Sequence, residues 1–155
     1  MPIDAYYNDG ARLRVHKVSG RVTASEFNHL FQFYAAHPRI AETDLISFID
    51  EACDPALTIA DIEALRAAFR DMQLTLDPPV IQRSVWVCPS VRAWPMLEVW
   101  LRDRHSRDGL STEVFLVARL EDAVCAFDEN ELAVVHAWSD FRQLGRFDAT
   151  DLPVG

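Results

Sequence analysis

Lysine is nearly missing from this chain: Lys17 stands alone against fourteen arginines. Chemistry that depends on a lysine amine (a P-loop, a Schiff base, the lysine near the acidic site of a response regulator) must therefore use Lys17 or nothing. The signatures GxxxxGK, GxGxxG, HExxH and GxSxG are also absent, and several enzyme classes drop out with them. Basic charge is scarce overall. Lys+Arg at 15 against Asp+Glu at 24 leaves a net charge of −9, so the cationic face that attracts phosphate backbones or anionic membranes is lacking. Arg102, Arg104 and Arg107 are the nearest approach to a basic patch, and no nucleic-acid partner is expected. Cys53, Cys88 and Cys125 are an odd number without CxxC spacing, which argues against a disulfide framework and for reduced cytoplasmic thiols. No apolar run approaches the ~18–20 residues of a membrane span. MPIDAYYNDG shows neither the basic nor the apolar region of a signal peptide. The expectation is a cytoplasmic protein with no membrane span and no cofactor.

What is present reads as one globular domain over residues 1–155, half hydrophobic and a quarter charged. A chain of that length buries about 68–70% of its unfolded surface. Ala5 to Asn8 and Leu13 to Val18 read as strands around an Asp9-Gly10 turn, because Gly tolerates the positive φ of a tight hairpin. On the second strand Leu13, Val15 and Lys17 share one face, and Arg14, His16 and Val18 the other. Thr23 and Glu26 form a capping box, followed by a helix to about His37 with Phe27, Leu30, Phe31 and Tyr34 on one stripe. Phe33 lies off that stripe and marks a second contact surface. Asp44 to Asp50 is apolar on both faces, as a central, doubly covered strand is. Thr58 caps a second helix whose stripe is Ile62, Leu65, Phe69 and Met72. Ile81 to Cys88 is a strand. A helix from about Val91 to His105 begins regularly near Ala93 or Trp94, since Pro95 is tolerated only in a first turn. Thr112 to Ala118 is the fifth strand. A short helix, Leu120 to Phe127, precedes a longer one, Asn130 to Leu144, for which a strand at Leu132–His136 is the rival, and residues after Gly145 form a loose tail. The fold expected is α/β: a mixed, mostly parallel five-stranded sheet with an N-terminal β-hairpin, helices on its faces and a C-terminal helical extension.

Several stretches carry a family likeness. They are Gly20–x–Val22-Thr23–x–x–Glu26, then Phe33-Tyr34–x–x–His37-Pro38, then Asp44–Asp50 followed by Thr58-Ile59–x–Asp61-Ile62, and finally Val114-Phe115 with Leu120-Glu121-Asp122-Ala123. Over roughly residues 11–127 the chain resembles bacterial STAS-like proteins, whose fold is shared with anti-sigma-factor antagonists and, more loosely, with Sec14-type lipid-binding domains. The resemblance implies a mostly parallel sheet with helices packed on it. The antagonists carry a phosphorylatable serine in an Asp-Ser-Ser-Gly-like turn after the central strand. Here Glu51 to Thr58 contains neither serine nor glycine, and Thr58 is the only hydroxyl at that helix start.

The candidate binding residues are Asp50, Glu51, Asp54, Thr58, Trp94 and Trp100. The three acids follow a strand end, where ligands of open sheets gather, and clustered carboxylates suit divalent cations; a solvated loop favouring the next helix N-terminus explains them equally. Cys53 and Cys88 lie near adjacent strand ends, as redox thiols or as small buried hydrophobes. The five histidines, among them His16 and His105, have no metal-like spacing. Trp86, Trp94 and Trp100 fall in one strand–helix unit and suit a core, an interface or an apolar pocket. The chain thus reads as a non-enzymatic regulatory or protein-interaction module, with a protein partner or self-association. The alternatives are a small apolar-ligand or lipid carrier, and a metal-dependent enzyme using the Asp50–Asp54 loop.

Overall fold

The computed structural model of the protein describes residues 3–74, 82–102 and 112–148. β1 (Ile3–Asn8) and β2 (Leu13–Val18) form the hairpin, paired antiparallel from Ile3 opposite Val18 to Asn8 opposite Leu13. Its turn differs from the Asp-Gly reversal. Residues 9–12 make the connection, and the left-handed residue is Arg12 (φ 51) rather than Gly10. Asn8 accounts for this: its Oδ1 accepts the Ala11 N–H at 2.9 Å, and its Nδ2 donates to Ser139 O at 2.9 Å. The side chain organises the loop locally and ties it to the far end of the chain.

Gly20 (φ 64) swings the chain out of β2 into β3 (Arg21–Val22). α1 (Ala24–Ala36) begins at the Thr23–Glu26 capping box, in which the Thr23 N–H donates to Glu26 Oε2 at 3.0 Å. It buries Leu30, Phe31 and Tyr34. Pro38 does not merely end α1; it opens a separate turn, α2 (Pro38–Ala41), at a position where its missing N–H costs nothing. β4 (Asp44–Ile49) and the short β5 (Asp54–Pro55) follow, then α3 (Ile59–Leu74), β6 (Gln82–Val87) and α4 (Trp94–Leu101), with Pro95 in the first turn of α4. Arg66 of α3 donates to Val99 O at 2.9 Å and so satisfies an end carbonyl of α4. β7 (Thr112–Val117), a 3₁₀ helix (Leu120–Cys125), α5 (Glu129–Ala137) and β8 (Arg142–Phe147) complete the order.

The fold is α/β with a mostly parallel, six-stranded sheet in the order β7-β6-β4-β2-β1-β8, while β3 and β5 pair separately. β2, β4, β6 and β7 are mutually parallel, and β1 is antiparallel to both of its neighbours. One register row, Val15–Ile46–Val85–Phe115, faces the 3₁₀ helix and α5; the next, His16–Ser47–Trp86–Leu116, faces α1, α3 and α4. β4 is apolar on both sides because it lies between β2 and β6 with helices over both faces. Phe33 stacks on His37 at 4.2 Å and meets Phe147 of β8 at 5.7 Å, so the second surface it marks is an internal contact.

The sixth strand corrects the five-stranded expectation. The helix expected over Asn130–Leu144 stops at Ala137, where Trp138 (φ 50) and Asp140 (φ 64) turn left-handed and release the chain into β8. Leu132–His136, the rival strand, is inside α5. Gly145 and the two residues after it belong to β8, which carries a bulge at Leu144 where it passes β1. α4 ends at Leu101 rather than His105. Ile81, Arg104, His105 and Arg107 lie outside the described residues.

Candidate functional site

Ligand crevices of open sheets form where successive crossovers pass to opposite faces. In this sheet α1, α3 and α4 all pack on one face, and the strands they connect advance in one direction, β2 to β4 to β6 to β7. The parallel strands therefore have no such switch point. Beyond their carboxyl ends there is instead an apolar cavity of about 50 Å³. Val18 and Ile49 contribute strand ends, Cys53, Pro55 and Leu57 come from the connection after β4, and Trp100 comes from α4. Its wall is wholly apolar.

That connection holds the acidic residues, and the backbone accounts for its path. Asp50 N donates to Val18 O at 2.9 Å, Asp54 N to Gly20 O at 2.8 Å and Ala56 N to Val22 O at 2.8 Å. The segment is thus strapped to the exit of β2. Asp50 turns the strap by accepting the Ala52 N–H at 2.8 Å, and Asp50 and Glu51 are exposed. Asp54 pairs with Arg92 at 3.0 Å, linking the strap to the entry of α4. Thr58 and Asp61 cap α3 reciprocally, at 2.8 and 3.1 Å. Among the described residues no three His, Cys, Asp or Glu side chains are grouped as metal ligands would be. The Cys53 thiol is pushed up to about 11, first by burial and then by Cys88, Asp50 and Asp54; burial also raises Cys88. Both stay protonated at neutral pH and are poor nucleophiles.

The tryptophans separate. Trp100 is buried among Phe27, Phe31, Phe69 and Trp86, stacked on Phe31 at 6.1 Å, and lines the cavity. Trp94 is half-buried and donates its indole N–H to Glu98 at 2.6 Å. Of the six candidates, then, Asp50, Glu51 and Asp54 sit on the strap, Trp100 lines the space beneath it, and Thr58 and Trp94 are accounted for by local bonds. Lys17 lies 4.0 Å over the Trp138 ring, on the sheet face away from the cavity.

A second constellation has no counterpart in the sequence reading. Arg14, His16, Ser47 and Ser84 form a buried polar seam on the α1 side of the sheet. His16 Nε2 shares a hydrogen bond with the Tyr34 hydroxyl at 2.5 Å, and Ser47 Oγ lies 3.3 Å from His16 Nδ1. Arg14 donates to Thr43 O at 2.8 Å and covers the Tyr34 ring at 4.7 Å. Burial, then the charge of Arg14, hold His16 well below its ordinary value, and burial raises Tyr34. A serine–imidazole pair suggests acyl chemistry, but Ser47 is fully buried, and the cavity beside the seam measures only about 30 Å³. The only sequence signal was the strand alternation that put Arg14 and His16 on one face.

Comparison of the chain with protein-family models, curated proteins and solved structures finds no match.

Proposed function

We propose that this protein is a non-enzymatic interaction module that holds an apolar side chain of a protein partner at the carboxyl end of its sheet. The wholly apolar cavity beneath an acidic strap carries this reading. At about 50 Å³ it is a fraction of the ~150 Å³ cavity that takes up benzene and of the ~300–1,000 Å³ of small-molecule sites. The end of one aliphatic side chain suits it. Ile59 and Val91, 56% and 89% exposed, follow and precede the lining residues Leu57 and Ala93, and provide apolar surface for the rest of a contact. Asp50 and Glu51 favour a partner with basic residues beside the inserted group, and the net charge of −9 acts in the same sense. No carboxylate, imidazole or ionised thiol lines this cavity to act as acid, base or nucleophile.

The hairpin followed by one-directional parallel strands supports the STAS-like resemblance, and with it a regulatory role exerted through a protein. The apolar wall also suits the end of an acyl chain, so a carrier is the second reading; it requires the strap to move outward to enlarge the space.

Random-peptide display against the protein, with Ala93→Val as counter-target, tests the proposal, because the added methyls occupy the cavity. Enriched peptides are expected to share an aliphatic residue flanked by Lys or Arg and to bind the variant at least about tenfold more weakly. Equal binding to both proteins overturns the reading. A fatty acid found in native mass spectra of the purified protein favours the carrier.

A further inference from the structure

The two edges of the main sheet are finished differently. β8 is guarded by charge: Arg142 pairs with Asp9 at 3.2 Å and Arg146 with Asp4 at 3.3 Å, as edge strands that avoid pairing usually are. β7 is guarded less: its one charged residue is Glu113, near its start. Val114, Phe115, Leu116 and Val117 run in succession without proline or charge, all half-buried, and among the described residues β7 is paired on one side only, by β6. Val117 O accepts from Cys88 N at 2.8 Å, so the backbone groups of Val117 are directed at β6. By the alternation of a ladder, those of Val114 and Leu116 are directed outward.

We propose that β7 pairs with β7 of a second copy of this chain, antiparallel about a two-fold axis through Leu116, joining two sheets into one. A two-fold perpendicular to the sheet keeps each face on its own side, so residues of like parity must meet. With Leu116 opposite Leu116, Val114 meets Ala118, Phe115 meets Val117, and Glu113 meets Arg119. The outward backbone groups of Val114 and Leu116 then fall at hydrogen-bonded positions. Charge complementarity selects this register: it sets exposed Glu113 against Arg119, 72% exposed, and does so twice by symmetry. Arg119 is extended (φ −138, ψ 153), so the strand geometry reaches it. A second copy fits better than an unrelated strand because the opposite charges needed at the two ends of the pairing are both present on β7 and the two residues that follow it.

Sedimentation velocity over a concentration series reads the association. Wild type is expected to dimerise; Glu113→Arg or Arg119→Glu alone sets like charges across both pairs and weakens the dimer roughly tenfold, and the double swap restores it. Both residues are exposed; Arg119 lies 3.7 Å from Asp122, and an exposed pair of this kind contributes under about 1 kcal/mol, so the variants fold. Register is tested separately with Leu116→Cys in a Cys125→Ser background, which is expected to oxidise to a covalent dimer. Glu113→Cys in the same background is not, since its two copies lie about 20 Å apart in this register. A monomer throughout the series, a dimer indifferent to the charge swaps, or cross-linking at 113 in preference to 116 overturns the proposal.

Discussion

The two faces of the sheet handle polar groups in opposite ways. Beneath α1 and α3, His16 is buried and bonds the Tyr34 hydroxyl at 2.5 Å, with Arg14 nearby donating to Thr43 O at 2.8 Å. On the face covered by the 3₁₀ helix and α5, the polar group stands at the margin. Arg83 meets Asp44 and Glu131, each at 2.7 Å, donates to Ala126 O at 2.9 Å and covers the Phe127 ring at 4.4 Å. Desolvation explains the contrast. At the margin both charges keep some water, and the Arg83 hydrogen bond holds the Glu131 carboxyl below its ordinary value. In the interior the imidazole loses its proton instead, because burial and a neighbouring guanidinium both oppose the charged form. Packing differs as well. The helix-rich face keeps narrow spaces of about 50 and 30 Å³ within its core; on the other face Ala123 is fully enclosed, and the larger space, about 270 Å³, lies at the margin beside Leu13, Phe127 and Glu131. Three crossover helices, α1, α3 and α4, set the spacing over the first face. The 3₁₀ helix and α5 cover the second.

Matched substitutions break that comparison most strongly. Ala123→Val is expected to overpack the second face and cost about 1–3 kcal/mol, whereas Ala93→Val enters existing space and is expected to cost less than that or to stabilise, as cavity filling does. Urea unfolding of both variants measures this, and equal losses would show that the first face is packed as tightly as the second.

Acid separates the faces next. The folded-state value of His16 is depressed, so the unfolded chain takes up its proton first, and stability falls as pH drops below the ordinary value of 6.5. The slope is about 1.4 kcal/mol per pH unit until folded His16 itself titrates. Glu131 is also depressed, but from 4.5, so its contribution is present above that pH and is lost only as pH falls through its folded value. His16→Gln should therefore flatten the stability profile just below pH 6.5 while leaving the lower limb in place. An unchanged upper limb would mean that His16 is not held neutral.

The smallest effect belongs to the margin. Arg83→Lys keeps the charge and loses the two-pronged contact with Glu131, for a cost of about 0.5–1 kcal/mol in so exposed a network. The loss should shrink in 1 M salt, where surface charges are screened over about 3 Å; thermal unfolding at both ionic strengths reads it.

Much of the fold was legible because its causes lie within a few residues. The Thr23–Glu26 and Thr58–Asp61 boxes each close over three positions, and the run Leu45–Ile49, apolar on both faces apart from Ser47, suits a strand covered on both sides. The turn of the hairpin was misread because Asn8 answers to Ser139, far along the chain. β8 was misread for a related reason. Trp138 and Phe141 do have helical spacing, but they stack on each other at 4.3 Å beside Tyr6, while the backbone that follows pairs with β1. In the candidate site, the strap was legible as an acidic connection after a strand. What lay beneath it was not, since the cavity is bounded by separate helices and strand ends.

By itself, then, the sequence determined α1, α3, the hairpin strands, the parallel strands and the acidic segment after β4, all governed by capping, periodicity and local charge. Only the tertiary structure decided that Arg14 and His16 face an interior, that Arg12 rather than Gly10 carries the hairpin turn, and that a sixth strand closes the sheet. It also decided that the acidic segment roofs an apolar space. Burial and strand pairing are properties of which segments meet, and here the segments that meet lie as far apart as Ile3 and Phe147.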